Sequence, residues 1–167
     1  MASTDDVKRL RDETGAGIMD CKRALEESGG DFEKAKEALA ELGLARAAKR
    51  GERETAQGLV EAYIHAGGRI GAMVEVNCET DFVARTEEFK VLAHDIAMQV
   101  AAVSTTLAVT EDDLPSGAEG AIEEIVLLKQ PFIKDGSKTI EDLVKAAISK
   151  TGENIRVRRI ARFELGQ

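Results

Sequence analysis

The residues that could bind a metal ion or act as a nucleophile are few and widely spaced in this sequence. The chain has two cysteines and two histidines, at Cys21, Cys78, His65 and His94. Their spacings match no zinc-binding pattern, and a thiol nucleophile would also need a base and a third, orienting group that the sequence does not mark. Both cysteines fall at positions predicted to face a core, where cysteine is common. The sequence therefore predicts no metal site and no catalytic residue.

A second candidate is the glycine pair in Thr14-Gly15-Ala16-Gly17. A dinucleotide-binding turn would need a glycine at position 20, where Asp20 stands, and a preceding strand, where the pattern predicts a helix. We interpret the glycines as a turn between two helices and predict no cofactor. Ile18 and Met19 then start a helix side by side, and since neighbouring residues point in different directions, at least one should be exposed. Such exposure indicates a partner surface.

The third candidate is the segment from Val74 to Val83. Its first half has the alternating pattern of a strand, and its second half is a turn that places Phe82 just before a helix beginning near Thr86. An aromatic side chain at such a corner, next to Asp81, can cover the protein's own core or contact a partner. Composition favours the core, because most large apolar side chains are buried. The residues alone leave both possibilities open.

The first part of the chain must position these candidates with helices. Residues 1–43 have the pattern of three short helices, the last of them capped by Asp31 and closed by Gly43. Residues 44–57 have high helix propensity but little to bury, so we predict a helical linker. Its basic side chains are interpreted as a solvated face, with RNA contact as the less favoured alternative.

Residues 58–167 are predicted to form an α+β core. The pattern gives an antiparallel three-stranded sheet packed with helices, following helices at the N-terminus. In chain order we predict strands Leu59–His65 and Arg69–Asn77, helices Thr86–Val103 and Ala118–Lys129, an exposed loop over residues 134–138, a helix capped by Thr139, and a strand Asn154–Leu165 with a bulge near Arg158-Arg159-Ile160.

Composition limits the possible partners and locations. The formal net charge is −8 and the pI is near 4.9, which disfavours binding to a phosphate backbone. No apolar run approaches the roughly 20 residues of a membrane span. Met1 to Asp6 is acidic where an export signal is basic. We therefore expect a cytoplasmic protein that binds a protein or a small ligand, with no membrane and no direct nucleic-acid contact.

Two stretches resemble the signatures of a known family. Residues 11–25 and 74–83 are similar to the N-terminal and core motifs of translation elongation factor Ts, and the tail from Gln130-Pro131-Phe132 to Gly166 resembles the short form of that family. The resemblance implies that residues 1–43 fold like a ubiquitin-associated domain. It also implies guanine-nucleotide exchange on elongation factor Tu, in which GDP release is accelerated so that GTP can load, without covalent chemistry.

The same resemblance assigns roles to individual residues. A loop of Thr80, Asp81, Phe82 and Val83 would enter the GTPase domain and disturb its Mg²⁺ and phosphate-binding region. The N-terminal module would contact that domain through Arg11, Ile18 and Met19.

The chain has length for one core where longer members have two. Short members pair, so we predict a homodimer through residues 58–167, with up to two Tu molecules bound. The sequence leaves open whether the interface lies on the helices and loops of residues 104–150 or on the last strand. Two alternatives remain: an adaptor in which Phe82 only covers the core, and a thiol or metal enzyme that depends on Cys78 or His94.

Overall fold

The computed structural model describes residues 3–166 of the chain. Two single turns of 3₁₀ helix, Glu111–Asp113 and Leu127–Lys129, lie between the longer elements. The helices are α1 (Thr4–Thr14), α2 (Ile18–Glu27), α3 (Phe32–Arg50), α4 (Asp81–Ala84), α5 (Glu87–Ala102), α6 (Ile122–Ile125) and α7 (Ile140–Thr151). The strands are β1 (Gln57–Ile64), β2 (Ile70–Cys78), β3 (Pro131–Phe132), β4 (Asp135–Thr139) and β5 (Ile155–Glu164).

The first three helices form where the sequence predicts helices, and only the end of the third differs. The Ser3 side chain accepts a hydrogen bond from the Asp6 amide, and the Asp31 side chain accepts one from the Lys34 amide. Gly15 ends α1 with a φ of 68°, a left-handed conformation that favours glycine. The three helices enclose a small core of their own, formed by Val7, Leu10, Cys21, Ala24, Leu25, Ala35 and Leu39.

Helix α3 differs from the prediction, because Gly43 does not end it. The helix continues to Arg50, so the first half of the expected linker helix is the last part of α3. Glycine inside a helix costs roughly 1 kcal/mol relative to alanine, but here it permits close packing against α7. A Cβ atom added at Gly43 would collide with the Ser149 hydroxyl. Contact with α7 therefore extends the helix beyond its expected end.

The main sheet has the order β1-β2-β5, and both pairings are antiparallel. Glu75 pairs with Arg159 while Val76 pairs with Val157, so Arg158 has no partner on β2 and forms the predicted bulge. One face of β2 is buried, and α5 packs on β1 and β2. Thr86 caps α5 by accepting a hydrogen bond from the Phe89 amide. The α+β fold class, with an antiparallel sheet packed with helices, is confirmed.

The segment between α5 and α7 contains two corrections. Only α6 and one 3₁₀ turn form where a helix over 118–129 is expected, because the backbone of this segment pairs instead with residues 107–109. The exposed loop predicted at 134–138 is largely strand β4, which pairs with β3. Asp135 stabilises this hairpin by accepting hydrogen bonds from the amide and hydroxyl of Ser137. The residues of β4 are polar and lack the alternation of apolar and polar side chains that predicts a strand.

The helical module packs directly on the core domain. Ala47 of α3 belongs to the large core beneath the sheet, and the Arg50 guanidinium donates a hydrogen bond of 3.2 Å to the carbonyl of Ile148. These contacts fix α3 against α7. None of the helices within residues 3–166 is long and apolar enough to cross a membrane.

Candidate functional site

Phe82 lies on a short, exposed corner that follows β2. Thr80 caps the four-residue helix α4, and its hydroxyl accepts a hydrogen bond of 3.4 Å from the Val83 amide. The Phe82 side chain is 82% exposed, whereas Val83 packs against the large core. Asp81 forms an ion pair of 2.9 Å with Arg85. The aromatic ring therefore projects from the protein and does not cover its core.

The base of this corner is held by side chains from two other elements. The buried Cys78 thiol donates to the Thr80 carbonyl at 3.1 Å. Burial, with the negative charge of Glu153 as a smaller cause, raises the pKa of Cys78 to about 11, so the thiol keeps its proton at neutral pH. The Glu153 carboxylate accepts hydrogen bonds from both the amide and the hydroxyl of Thr80, at 3.0 and 2.6 Å. Cys78 is thus a structural donor.

The helical module presents a second apolar surface. Ile18 and Met19 open α2 and are 49% and 70% exposed, which confirms that at least one of the pair is exposed. Arg11 is also exposed, on α1. Asp20 accepts hydrogen bonds from Arg46 on α3, the shorter being 2.7 Å. This pair fixes the start of α2 against α3 and holds the pKa of Asp20 below its usual range.

The residues considered for metal or thiol chemistry have structural contacts. The His94 ring nitrogen lies 3.0 Å from the Glu61 carboxylate, and His65 lies 3.2 Å from the Tyr63 hydroxyl. Both cysteines are buried. Across residues 3–166, no group of three or more His, Cys, Asp or Glu side chains is arranged to hold a metal ion.

A cavity of about 610 Å³ is separate from the Phe82 corner. Its polar lining mixes carboxylates with guanidinium groups, namely Asp112, Asp113, Arg156, Arg158 and Arg159. The opposed charges give the cavity no clear preference for an anion or a cation. None of the residues predicted to contact a partner lines it, so its volume alone does not make it the candidate site.

A third exposed surface lies on the side of the main sheet opposite α5, and only its last strand is among the interfaces considered from the sequence. We call it the outer sheet face, and it is defined by Val60, Ala62, Ile64, Met73, Ala161, Phe163 and Leu165. Met73 pairs with both Ala62 and Ala161, so the apolar side chains cross all three strands. Phe163 and Ile64 are 71% and 65% exposed. The sequence contained a sign of this surface, because in β1 and β5 the residues that point to either face of the sheet are partly apolar.

The chain is thus a small helical module fixed to an α+β core, with an aromatic corner and an apolar helix start both facing solvent. The family model described as "Elongation factor TS" matches residues 18–119, a range that includes both Ile18-Met19 and the Phe82 corner. The chain belongs to the elongation factor Ts family.

Individual relatives match nearly the whole chain. Elongation factor Ts of Carboxydothermus hydrogenoformans is 49% identical over an alignment that covers 100% of this chain and 90% of the relative. Elongation factor Ts of Heliobacterium modesticaldum is 47% identical, with 96% and 88% covered. For Thermosynechococcus vestitus the identity is 49% and the coverage is 96% of this chain and 64% of the relative. The chain thus spans less than two thirds of that protein's length.

Proposed function

We propose that this chain is a guanine-nucleotide exchange factor for elongation factor Tu and acts in the cytoplasm. It binds the GDP form of that GTPase and promotes GDP release so that GTP can load, with no covalent step. The curated relatives carry the name elongation factor Ts. The observation that carries the proposal is Phe82, an aromatic side chain 82% exposed on an ordered corner.

Phe82 is the group that enters the partner. Its ring inserts into an apolar gap of the GTPase domain, with Asp81 beside it and with Thr80 and Val83 holding the corner. Insertion displaces the segment that positions Mg²⁺ next to the nucleotide. Because that ion neutralises phosphate charge, displacing it weakens the binding of GDP.

The helical module supplies affinity through Arg11, Ile18 and Met19, which contact the same GTPase domain. Exchange requires tighter binding to the nucleotide-free state than to the GDP state, and a thousandfold acceleration needs roughly 4 kcal/mol of difference. Burying one phenylalanine contributes about 1.5–3 kcal/mol. Phe82 therefore supplies a large share of the difference, while contacts made equally in both states change affinity alone.

The test is stopped-flow release of fluorescent GDP from elongation factor Tu at increasing concentrations of this chain. Phe82→Ala should lower the maximal release rate at least about tenfold, which corresponds to about 1.4 kcal/mol. Replacing both Ile18 and Met19 by alanine should mainly raise the concentration that gives half the maximal rate.

Val91→Ala is the matched control, because Val91 is another exposed apolar residue, at 56%, on α5. It should leave release unchanged. A native chain that accelerates nothing would exclude the exchange function. Equal rates for the native chain and Phe82→Ala would remove Phe82 from the mechanism while leaving the function in place.

We also propose that the chain forms a homodimer through the outer sheet face, with up to two Tu molecules bound. Two copies of this face can pack around a twofold axis and cover the exposed apolar residues of all three strands. Met73→Asp should convert the dimer to a monomer of 18.0 kDa in sedimentation equilibrium. Val91→Asp introduces the same charge away from this face and should stay dimeric. A native chain that sediments as a monomer would contradict the proposal.

A further inference from the structure

Glu153 makes an unusual contact for a residue so far from the Phe82 corner in sequence. It follows α7, where Gly152 adopts a left-handed conformation with a φ of 78°, and its amide donates to the Thr151 hydroxyl. Both carboxylate oxygens bind a single residue, because Oε2 accepts from the Thr80 amide and Oε1 accepts from the Thr80 hydroxyl. A bidentate contact of this kind restricts rotation as well as distance.

Thr80 is consequently held at each of its polar groups. Its amide and hydroxyl donate to Glu153, its hydroxyl oxygen accepts from the Val83 amide, and its carbonyl accepts from the Cys78 thiol. None of the four residues of α4 is fully buried. With so little burial, the order of the corner depends on these hydrogen bonds.

The neighbouring residue connects the same point to the helical module. The Asn154 amide donates to the Glu79 carboxylate at 2.6 Å, and its buried side chain donates to the carbonyls of Gly51 and Arg53. Residues 153–154 therefore join the Phe82 corner to the segment that leaves α3.

The end of α7 also touches the turn that precedes Ile18. A Cβ atom added at Gly15 would lie 3.1 Å from the Lys150 side chain. Residues 149–154 thus contact both the base of the Phe82 corner and the turn before α2. These two places support the two surfaces assigned to elongation factor Tu.

We propose that Glu153 is a positioning residue for exchange, which holds the Phe82 corner in the orientation that enters the GTPase domain. This inference rests on the proposed function. An ordered corner loses less conformational entropy when Phe82 inserts. Because Phe82 inserts in the step that releases GDP, the lower entropy cost accelerates that step. Glu153 acts on the corner through its contacts with Thr80 and needs no contact with the partner.

The test combines GDP release with amide hydrogen exchange of the unbound chain. In Glu153→Gln the carboxylate charge is removed and the amide nitrogen of glutamine cannot accept a hydrogen bond, so both contacts with Thr80 lose their charge assistance and become weaker. The maximal release rate should fall about tenfold, while the half-maximal concentration changes less than about twofold. Hydrogen exchange at Thr80 and Val83 should become faster.

Two further variants approach the contact from the other side. Thr80→Val loses the hydroxyl and should slow release, whereas Thr80→Ser keeps both donors and should slow release less than Thr80→Val does. Combining Thr80→Val with Glu153→Gln should be no slower than the slower single variant, because both changes remove the same contact. If Glu153→Gln does not fold, the difference between Thr80→Ser and Thr80→Val decides the question.

Glu119→Gln is the matched control, since Glu119 is exposed and lies outside both surfaces assigned to the partner. A normal maximal rate in Glu153→Gln beside an active native chain overturns the positioning role alone. A native chain that accelerates nothing overturns the proposed function and the exchange role of Glu153 together. Hydrogen exchange still separates the two cases, because it reports order at the corner without the partner.

Discussion

The helical module and the α+β core are stabilised in different ways. Among residues 3–166, the helical module buries seven residues in its own core, and most of them are small or medium in size. The α+β core buries twenty, including Phe89, Ile96, Leu127 and Ile140. So small a helical bundle would be marginal alone. The helical module therefore depends for its stability on the contact with α7. The α+β core depends less on the helical module.

The shared element is α3, which carries residues of both cores. Leu39 packs with α1 and α2, and Ala47 lies in the large core. Because α3 anchors the helical module, α1 and α2 can leave Ile18 and Met19 exposed. The comparison predicts that substitutions in the large core reduce global stability and that those in the small core act locally.

The largest effect is expected for Phe89→Ala in the large core. Phe89 is 1% exposed, and truncating a buried phenylalanine costs about 3–5 kcal/mol. Urea unfolding followed by circular dichroism should show the loss as a lower midpoint. Val91→Ala on the same helix should stay within about 0.5 kcal/mol of the native chain. Similar midpoints for the two variants would contradict the assignment of this core.

A smaller and local effect is expected for Leu10→Ala in the helical module. Leu10 is fully buried, and its truncation should destabilise the module by about 2–3 kcal/mol. Amide hydrogen exchange should accelerate in α1 and α2 but not in β2. Leu44→Ala is the control, because Leu44 is 47% exposed. Equal acceleration in β2 would show that both modules unfold as one unit.

The contact between the modules can be disturbed by Gly43→Ala. Alanine suits a helix better than glycine, but its Cβ would collide with Ser149, so we expect a net loss of about 1–2 kcal/mol in urea unfolding. Gly51→Ala adds the same methyl group at the end of α3, where the nearest atom is 3.4 Å away, and should be nearly neutral. A more stable Gly43→Ala variant would mean that α3 and α7 can separate freely.

The sequence predicts the regular elements well where one physical signal dominates. Caps at Asp31 and Thr139, the β1–β2 hairpin and the bulge at Arg158 follow from local hydrogen bonding and alternation. The predicted end of α3 at Gly43 was wrong, because Gly43 contacts α7 and local helix propensity gives no information about such a contact. Strand β4 was missed because its order depends on pairing with β3 and on the turn at Asp135.

The sequence likewise predicts some parts of the candidate site and not others. Exposure of the Ile18-Met19 pair follows from their adjacency at a helix start, and the corner at Phe82 follows from the strand and the cap around it. The contact of Glu153 with Thr80 joins residues 73 positions apart, and no local pattern marks it. The outer sheet face required the strand order β1-β2-β5, which places apolar residues from three separate segments side by side.

The smallest expected effect is a loss of stability at low pH, through the ion pair of Asp20 and Arg46 that joins α2 to α3. Hydrogen bonds from Arg46 hold the pKa of Asp20 below its usual range, with burial opposing them. A lowered folded-state pKa stabilises the module above the unfolded pKa of about 3.9, and the contribution disappears as the pH falls through the folded-state value. Because Arg46 is 43% exposed, solvent screening limits the contribution to about 1 kcal/mol or less.

Asp20→Asn tests this pH dependence, since asparagine does not titrate. At pH 7 the variant should be less stable than the native chain, and the difference should shrink as the pH falls below about 3.9 and vanish below the folded-state pKa. Hydrogen exchange in α1 and α2, corrected for the intrinsic effect of pH, measures the difference within the helical module. Asp12→Asn, at an exposed position of α1, should follow the native chain at every pH. A gap between Asp20→Asn and the native chain that persists in acid would mean that Asp20 stabilises the module by packing and not by its charge.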